Sequence, residues 1–155
     1  MAVEGVQVER LRVFVNGQAM RGGTLHHALA DATFAGPATT APRYRFYSVR
    51  DEFPGLHPTD VDGRAVPGEL YEVDYRTLRE RVLPGEPPEL ELGVVELDDG
   101  SGSLAMRMRA DALDAPGVTD ISDRGGWRAH LDAHAGAATR AAAAPPATVD
   151  GEGGA

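Results

Sequence analysis

The apolar positions fall into short runs with turn residues between them. "LRVFV" (11–15) ends at Asn16-Gly17, a turn pair, and reads as a strand. After "GQAMRGG", Thr24 stands as N-cap to "LHHALADA", where Leu25, Ala28, Leu29 and Ala32 keep helical spacing. "TFAGPATT" and "YRFYSV" (44–49) are β-rich, whereas "DEFPGLHPTDVDGRAVP" reads as a long loop with prolines. "GELYEV" (68–73) alternates like a half-buried strand, and Asp74 is placed to cap a short helix, "YRTLRERVL". "LELGVVEL" and "SLAMRMR" flank Asp98-Asp99-Gly100, a hairpin signal. "DISDRGGWRAHLDAH" predicts a turn and a C-terminal helix with Trp127 and Leu131 on one stripe. About six strands with two or three helices, and no βαβ alternation, predict a mixed α+β, barrel-like domain.

From Ala135 the chain becomes "AGAATRAAAAPPATVDGEGGA", which holds neither period and predicts a disordered tail over 135–155. The expected division is an N-terminal extension over 1–7, a folded domain over 8–134, and that tail. A chain of 155 residues, 42% hydrophobic and 25% charged, suits one soluble globular domain.

Charge and composition remove several kinds of chemistry. The formal net charge of −9 argues against nucleic acid and anionic membranes as partners. All 15 basic residues are Arg, so no lysine can form a Schiff base. Without Cys there is no disulfide, thiolate metal site or cysteine nucleophile. No apolar run approaches the roughly 18 residues of a membrane span, and the N-terminus has no signal-peptide core; the expected location is cytoplasmic.

The histidines invite a metal reading but do not support it. His26 and His27 are adjacent, so on a helix they point about 100° apart. His130 and His134 have i,i+4 spacing without a third ligand, and read as surface residues. No G-x-S-x-G or phosphate loop occurs. The unit "VFVNGQAMRGGTLHHAL" is more suggestive, because a glycine-rich turn ahead of a helix leaves N–H groups free for an anion. Trp127, after Gly125-Gly126, reads as a core anchor. The stretch "LPGEPPELELG" sets Glu86, Glu89 and Glu91 between the predicted helix and the next strand. Each is either a solvated acid or, if buried, a proton carrier.

The segments "FVNGQAMRGGTLHHAL", "ATFAGPATTAPRYRFY", "EFPGL" and "AVPGELYEV" occur in the order and spacing of the γ-glutamylcyclotransferase-like (AIG2-like) superfamily, which residues 11–100 resemble. With "LPGEPPELELGVVELDDGS" and "DISDRGGWRAHL" added, residues 11–131 resemble more closely the C-terminal domain of allophanate hydrolase and its stand-alone relatives. The resemblance implies a small mixed β-barrel with flanking helices, the γ-glutamylcyclotransferase-like fold. It also implies a substrate carboxylate held by backbone amides of the loop after the first strand, here Asn16, Gly17, Gln18, Ala19 and Met20.

The cyclotransferase glutamate position is taken by Pro84, and Arg81 stands where its aspartate would be. The acid/base role then falls to Glu86, displaced by two residues, with Glu89 as runner-up. The implied function is a cofactor-independent, metal-free enzyme acting on a small anionic amide or carbamate by decarboxylation, lyase chemistry or amide processing. The alternative is a non-catalytic ligand-binding or assembly module that partners an amidase or forms a homo-oligomer. Classical γ-glutamyl cyclisation, which needs a base where Pro84 stands, is the third reading.

Overall fold

The structure, a computed structural model, describes the backbone of residues 9–143 and side chains to residue 136. The expected extension over 1–7 and the end of the tail, 144–155, lie outside the described residues. Eight strands form one mixed sheet: β1 (Arg10–Val15), β2 (Thr33–Thr39), β3 (Tyr44–Val49), β4 (Phe53–Pro58), β5 (Pro67–Asp74), β6 (Leu90–Glu96), β7 (Gly102–Met108) and β8 (Val118–Asp120). Their order is β2-β5-β1-β7-β4-β3-β8, with β6 paired to β7. β7 runs parallel to both β1 and β4, and the other pairings are antiparallel. The sheet curls into a half-barrel with two helices, α1 (Tyr75–Thr77) and α2 (Trp127–Ala143), in a mixed α+β fold.

Strand alternation builds the interior. Val13, Phe46, Tyr71, Val73, Val95 and Trp127 join the main core, and Trp127 is 2% exposed. Val49, Phe53, Leu90, Met108 and Ala112 form a smaller second cluster. The β6–β7 hairpin pairs from Leu90↔Met108 to Glu96↔Gly102 around the predicted Asp98-Asp99-Gly100 turn. Asp74 caps α1 by accepting from the Thr77 amide at 2.7 Å. The helical run then widens over Leu78–Val82 and tightens over Leu83–Gly85.

Three segments depart from the sequence reading. "FPGLHP", expected as loop, is the largely buried strand β4. Pro54 and Pro58 are four residues apart, so their missing N–H groups fall on the same edge of β4, and β7 meets β4 at a single pair, Leu56↔Arg107. The helix expected from Thr24 is only one tight turn, His26–Leu29, with no side-chain cap. Too few consecutive intrahelical bonds form there to propagate a helix. The C-terminal helix passes the boundary expected at 134 and runs to Ala143, because an alanine-rich stretch has the highest intrinsic helix propensity even without an apolar stripe.

Candidate functional site

β1 delivers the chain into a loop folded back on itself. The Met20 amide donates to the Gly17 carbonyl (3.1 Å), Gly23 to Met20 (2.9 Å) and Leu25 to Gln18 (3.0 Å). Gly17 packs on Pro54 so closely that a Cβ there would lie 2.5 Å from the proline Cδ. The Gln18 side chain ties the loop to the β3–β4 turn, its Nε2 donating to the Glu52 carbonyl at 3.0 Å. The N–H groups of Gly17, Gln18 and Ala19 have no acceptor among the described residues. Asn16 is 8% exposed, and its Nδ2 is buried without a partner. Four donors are therefore left open in one short segment, where buried donors are ordinarily satisfied.

Glu86 comes to this loop from the other side. The helical run after Asp74 is held by buried Leu78 and Val82 and closes with the Glu86 amide donating to the Leu83 carbonyl at 3.1 Å. There the chain turns extended, and the Glu86 side chain lines a cleft with Asn16, Gly17, Gln18 and Ala19. The cleft has a cavity volume of only about 50 Å³ behind its open mouth, and Phe53, Pro54, Leu90 and Met106 complete much of its wall. Glu86 is half-buried and makes no side-chain hydrogen bond or ion pair among the described residues. Burial alone raises its pKa to about 7. Such a carboxyl populates both protonation states near neutrality, as a general acid or base requires.

The other expected site residues lie elsewhere. Met20 is 4% exposed in the main core, its amide is bonded, and it does not line the cleft. Glu89 turns away and meets Arg50 at 3.5 Å, while Glu91 pairs with Arg109 at 3.2 Å. Pro84 is exposed on the preceding turn. Among the described residues no three His, Asp or Glu side chains are grouped to hold a metal. No described helix is long and apolar enough to cross a membrane.

Two polar clusters escaped the sequence reading. His130, expected at the surface, is buried at 6% exposure, with Nε2 2.7 Å from Asp51 Oδ1. Spacing from Trp127 to His130, Leu131 and His134 marks one helix face, and that was the available signal. Glu69, 3% exposed, accepts from the Arg21 amide (2.8 Å), Tyr71 hydroxyl (3.1 Å) and Arg128 (3.2 Å). Burial pushes its pKa up, but these hydrogen bonds outweigh burial and hold it below the ordinary range.

Residues 11–132 match the family model described as the allophanate hydrolase C-terminal domain. The chain belongs to that family. Urea amidolyase of Saccharomyces cerevisiae is 26% identical over 129 residues, which cover 79% of this chain and 7% of the yeast protein. Among solved structures, c4763, a uropathogenic E. coli-specific protein, superposes with TM-score 0.74 at 25% identity, over 80% of this chain and 97% of its own. Allophanate hydrolase of Kluyveromyces lactis gives 0.72 at 24% identity, over 86% of this chain and 22% of that enzyme. An AIG2-like protein of Mus musculus shares the fold at 0.53 and 24% identity, covering 70% and 81%. The chain thus spans a small part of the yeast and K. lactis proteins and nearly all of c4763. In the larger relatives, this allophanate hydrolase C-terminal domain is one portion of a longer protein.

Proposed function

We propose that this allophanate hydrolase C-terminal-like domain is a cofactor-independent enzyme that decarboxylates a small carbamate, with Glu86 as its proton carrier. The supporting observation is the unpaired, half-buried Glu86 sharing a cleft with the open donors of Asn16–Ala19. Those donors suit the carbamate's carboxylate, as fixed dipoles that need no reorganisation. Protonated Glu86 gives its proton to the carbamate nitrogen. The C–N bond then breaks with its electron pair remaining on nitrogen, carbon dioxide leaves, and water returns a proton to Glu86.

The test follows ethylcarbamate, made from ethylamine and bicarbonate, as it decays in a stopped-flow cell with a pH indicator. The wild type is expected to accelerate decay on the order of hundredfold over buffer, and Glu86→Gln to lose that gain. Decay at the buffer rate in the presence of the wild type would overturn the proposal.

A second reading, an assembly module that partners an amidase, is favoured by the small share of urea amidolyase (7%) and allophanate hydrolase (22%) that the chain covers. It predicts no acceleration by the wild type.

A further inference from the structure

Strand β6 is an edge of the sheet: its ladder lies wholly on β7, which meets β1 and β4 on its other side. The Leu97 amide donates to the Ser101 carbonyl (2.7 Å) and the Arg109 amide to the Glu89 carbonyl (2.9 Å), so the odd-numbered residues of β6 bond to β7. The backbone groups of Leu90, Leu92, Val94 and Glu96 therefore point away from it. At both ends that edge is already covered. Glu96 accepts from the Ala41 amide (2.9 Å) and donates to the Tyr44 hydroxyl (2.8 Å), and the Leu90 amide donates to the Pro87 carbonyl (3.1 Å). Between these ends, the N–H and C=O groups of Leu92 and Val94 have no partner among the described residues. Their side chains are also exposed, Leu92 at 40% and Val94 at 60%. An open, apolar edge of this kind is a template for another strand.

Symmetry and charge select the strand that fits. A second β6, antiparallel and turned about Gly93, sets Leu92 opposite the partner's Val94 and Val94 opposite the partner's Leu92. That register uses every open group in four backbone hydrogen bonds and brings the two Gly93 Cα atoms to about 4.5 Å. The four apolar side chains then gather on one face, beside Leu104 and Met106. On the other face Arg107 lies over Gly93, where a Cβ would overlap its guanidinium. Arg107 makes no ion pair among the described residues, and its Nε is buried without an acceptor. Across the seam the partner's Glu91 stands diagonal to Gly93, within reach of a long side chain, and the same contact recurs on the other side of the two-fold axis. We infer that two copies of this chain associate through β6, antiparallel about Gly93, with Arg107 of each facing the partner's Glu91. Exposed ion pairs add little strength, so the apolar contact and backbone bonds hold the pair while the charges fix its register. The seam is short, and its affinity falls in the micromolar range of small interfaces. The inference is independent of how the cleft is read.

The experiment is analytical sedimentation of the intact protein from about 1 to about 200 µM, in about 0.15 M salt so that the −9 charge of each copy is screened beyond roughly 8 Å. A monomer–dimer equilibrium is expected within that range. Val94→Lys, at a position already exposed, should weaken it at least about tenfold, since a lysine on an edge strand opposes pairing. Glu91→Arg and Arg107→Glu should each weaken it about tenfold, because two like-charge contacts then form at once. An equal mixture of those two variants restores opposite charges at both contacts and should associate as the wild type does. A wild type that sediments as a monomer throughout overturns the inference and leaves the edge to a different partner. A dimer untouched by Val94→Lys overturns it too, by placing the contact on another surface. So does a mixture that associates no better than either variant alone, since that register then does not form. The wild-type and Val94→Lys runs decide the matter even if Arg107→Glu fails to fold.

Discussion

His130 Nε2 lies 2.7 Å from Asp51 Oδ1 and fastens the C-terminal helix to the β3–β4 turn. That turn holds Arg50 and Asp51 at φ 53° and 57°, left-handed values uncommon for residues other than glycine and less strained for Asp than for Arg. Ser48 donates to the same Asp51 oxygen at 2.8 Å, and the Asp51 amide donates to Ser48 Oγ at 3.1 Å. The turn in turn presents Glu52 to Gln18 and leads into Phe53 and Pro54 on the cleft wall. His130→Ala is therefore expected to cost about 2 kcal/mol, the value of a hydrogen bond to a charged group, measured by urea unfolding. Recovery by His130→Gln of part of that loss would separate the bond from mere packing.

Acid should weaken the same fastening. The hydrogen bond from His130, then that from Ser48, hold the Asp51 carboxyl below its ordinary value of 3.8. A depressed carboxyl contributes stability that is complete above its unfolded value and is lost as pH falls through its folded one. Unfolding free energies between about pH 6 and pH 2.5 should show a steeper acid limb in the wild type than in Asp51→Asn. Parallel limbs would show that Asp51 is not coupled to folding.

Glu86 works in the opposite direction. Its folded pKa, about 7, lies above the ordinary 4.5, so in that window the folded state holds more proton than the unfolded chain. Stability should decline as pH rises from the lower value to the higher and then level off. Glu86→Gln should accordingly be close to neutral at about pH 4 and stabilising at about pH 8, by on the order of 2 kcal/mol once partial hydration is allowed for. Chemical denaturation of both proteins at the two pH values decides it. A mutant that is equally destabilised at both would mean that Glu86 has a partner.

Strand and hairpin periodicity carried most of the fold: "GELYEV", the β6–β7 hairpin and the Asp74 cap stand where alternation and turn chemistry put them. "FPGLHP" did not, because prolines mark a loop unless the neighbouring strand leaves one edge unpaired, and sequence does not show edges. The Glu86 side chain was placed by resemblance and not by pattern, since half-burial of a carboxylate depends on the distant wall formed by Phe53, Leu90 and Met106. Glu69 was legible in principle. It shares strand parity with Tyr71 and Val73, both buried, so a carboxylate at that position had to face inward and find donors.

The loop of open amides depends on one close approach. A Cβ at Gly23 would overlap the backbone carbonyl of Gln18, which cannot give way without moving the 17–19 amides. Gly23→Ala is expected to lower stability by about 2–3 kcal/mol, in the range of overpacking costs, and to abolish acetate binding. A thermal melt and an acetate titration of the same sample test both halves. Unchanged acetate binding in the variant would show that the loop's conformation is not what creates the anion site.

The Glu69 cluster gives a spectroscopic prediction. Burial first, and the neighbouring Glu69 carboxylate second, push the Tyr71 hydroxyl up to about 12. Replacing the carboxylate by a neutral amide removes the second cause and leaves the first. In Glu69→Gln, one of the four tyrosines should therefore titrate at lower pH than in the wild type, yet still above the ordinary value of 10. Phenolate absorbance followed against pH reads this directly. The same variant should lose about 2–3 kcal/mol, because the Arg21 amide, Tyr71 and Arg128 all donate to that carboxylate. Arg21 and Arg128 are more than half exposed, so water can take up their charges and the loss stays below that of a fully buried pair. An unmoved tyrosine titration together with the expected loss of stability would mean that Tyr71 is raised by burial alone.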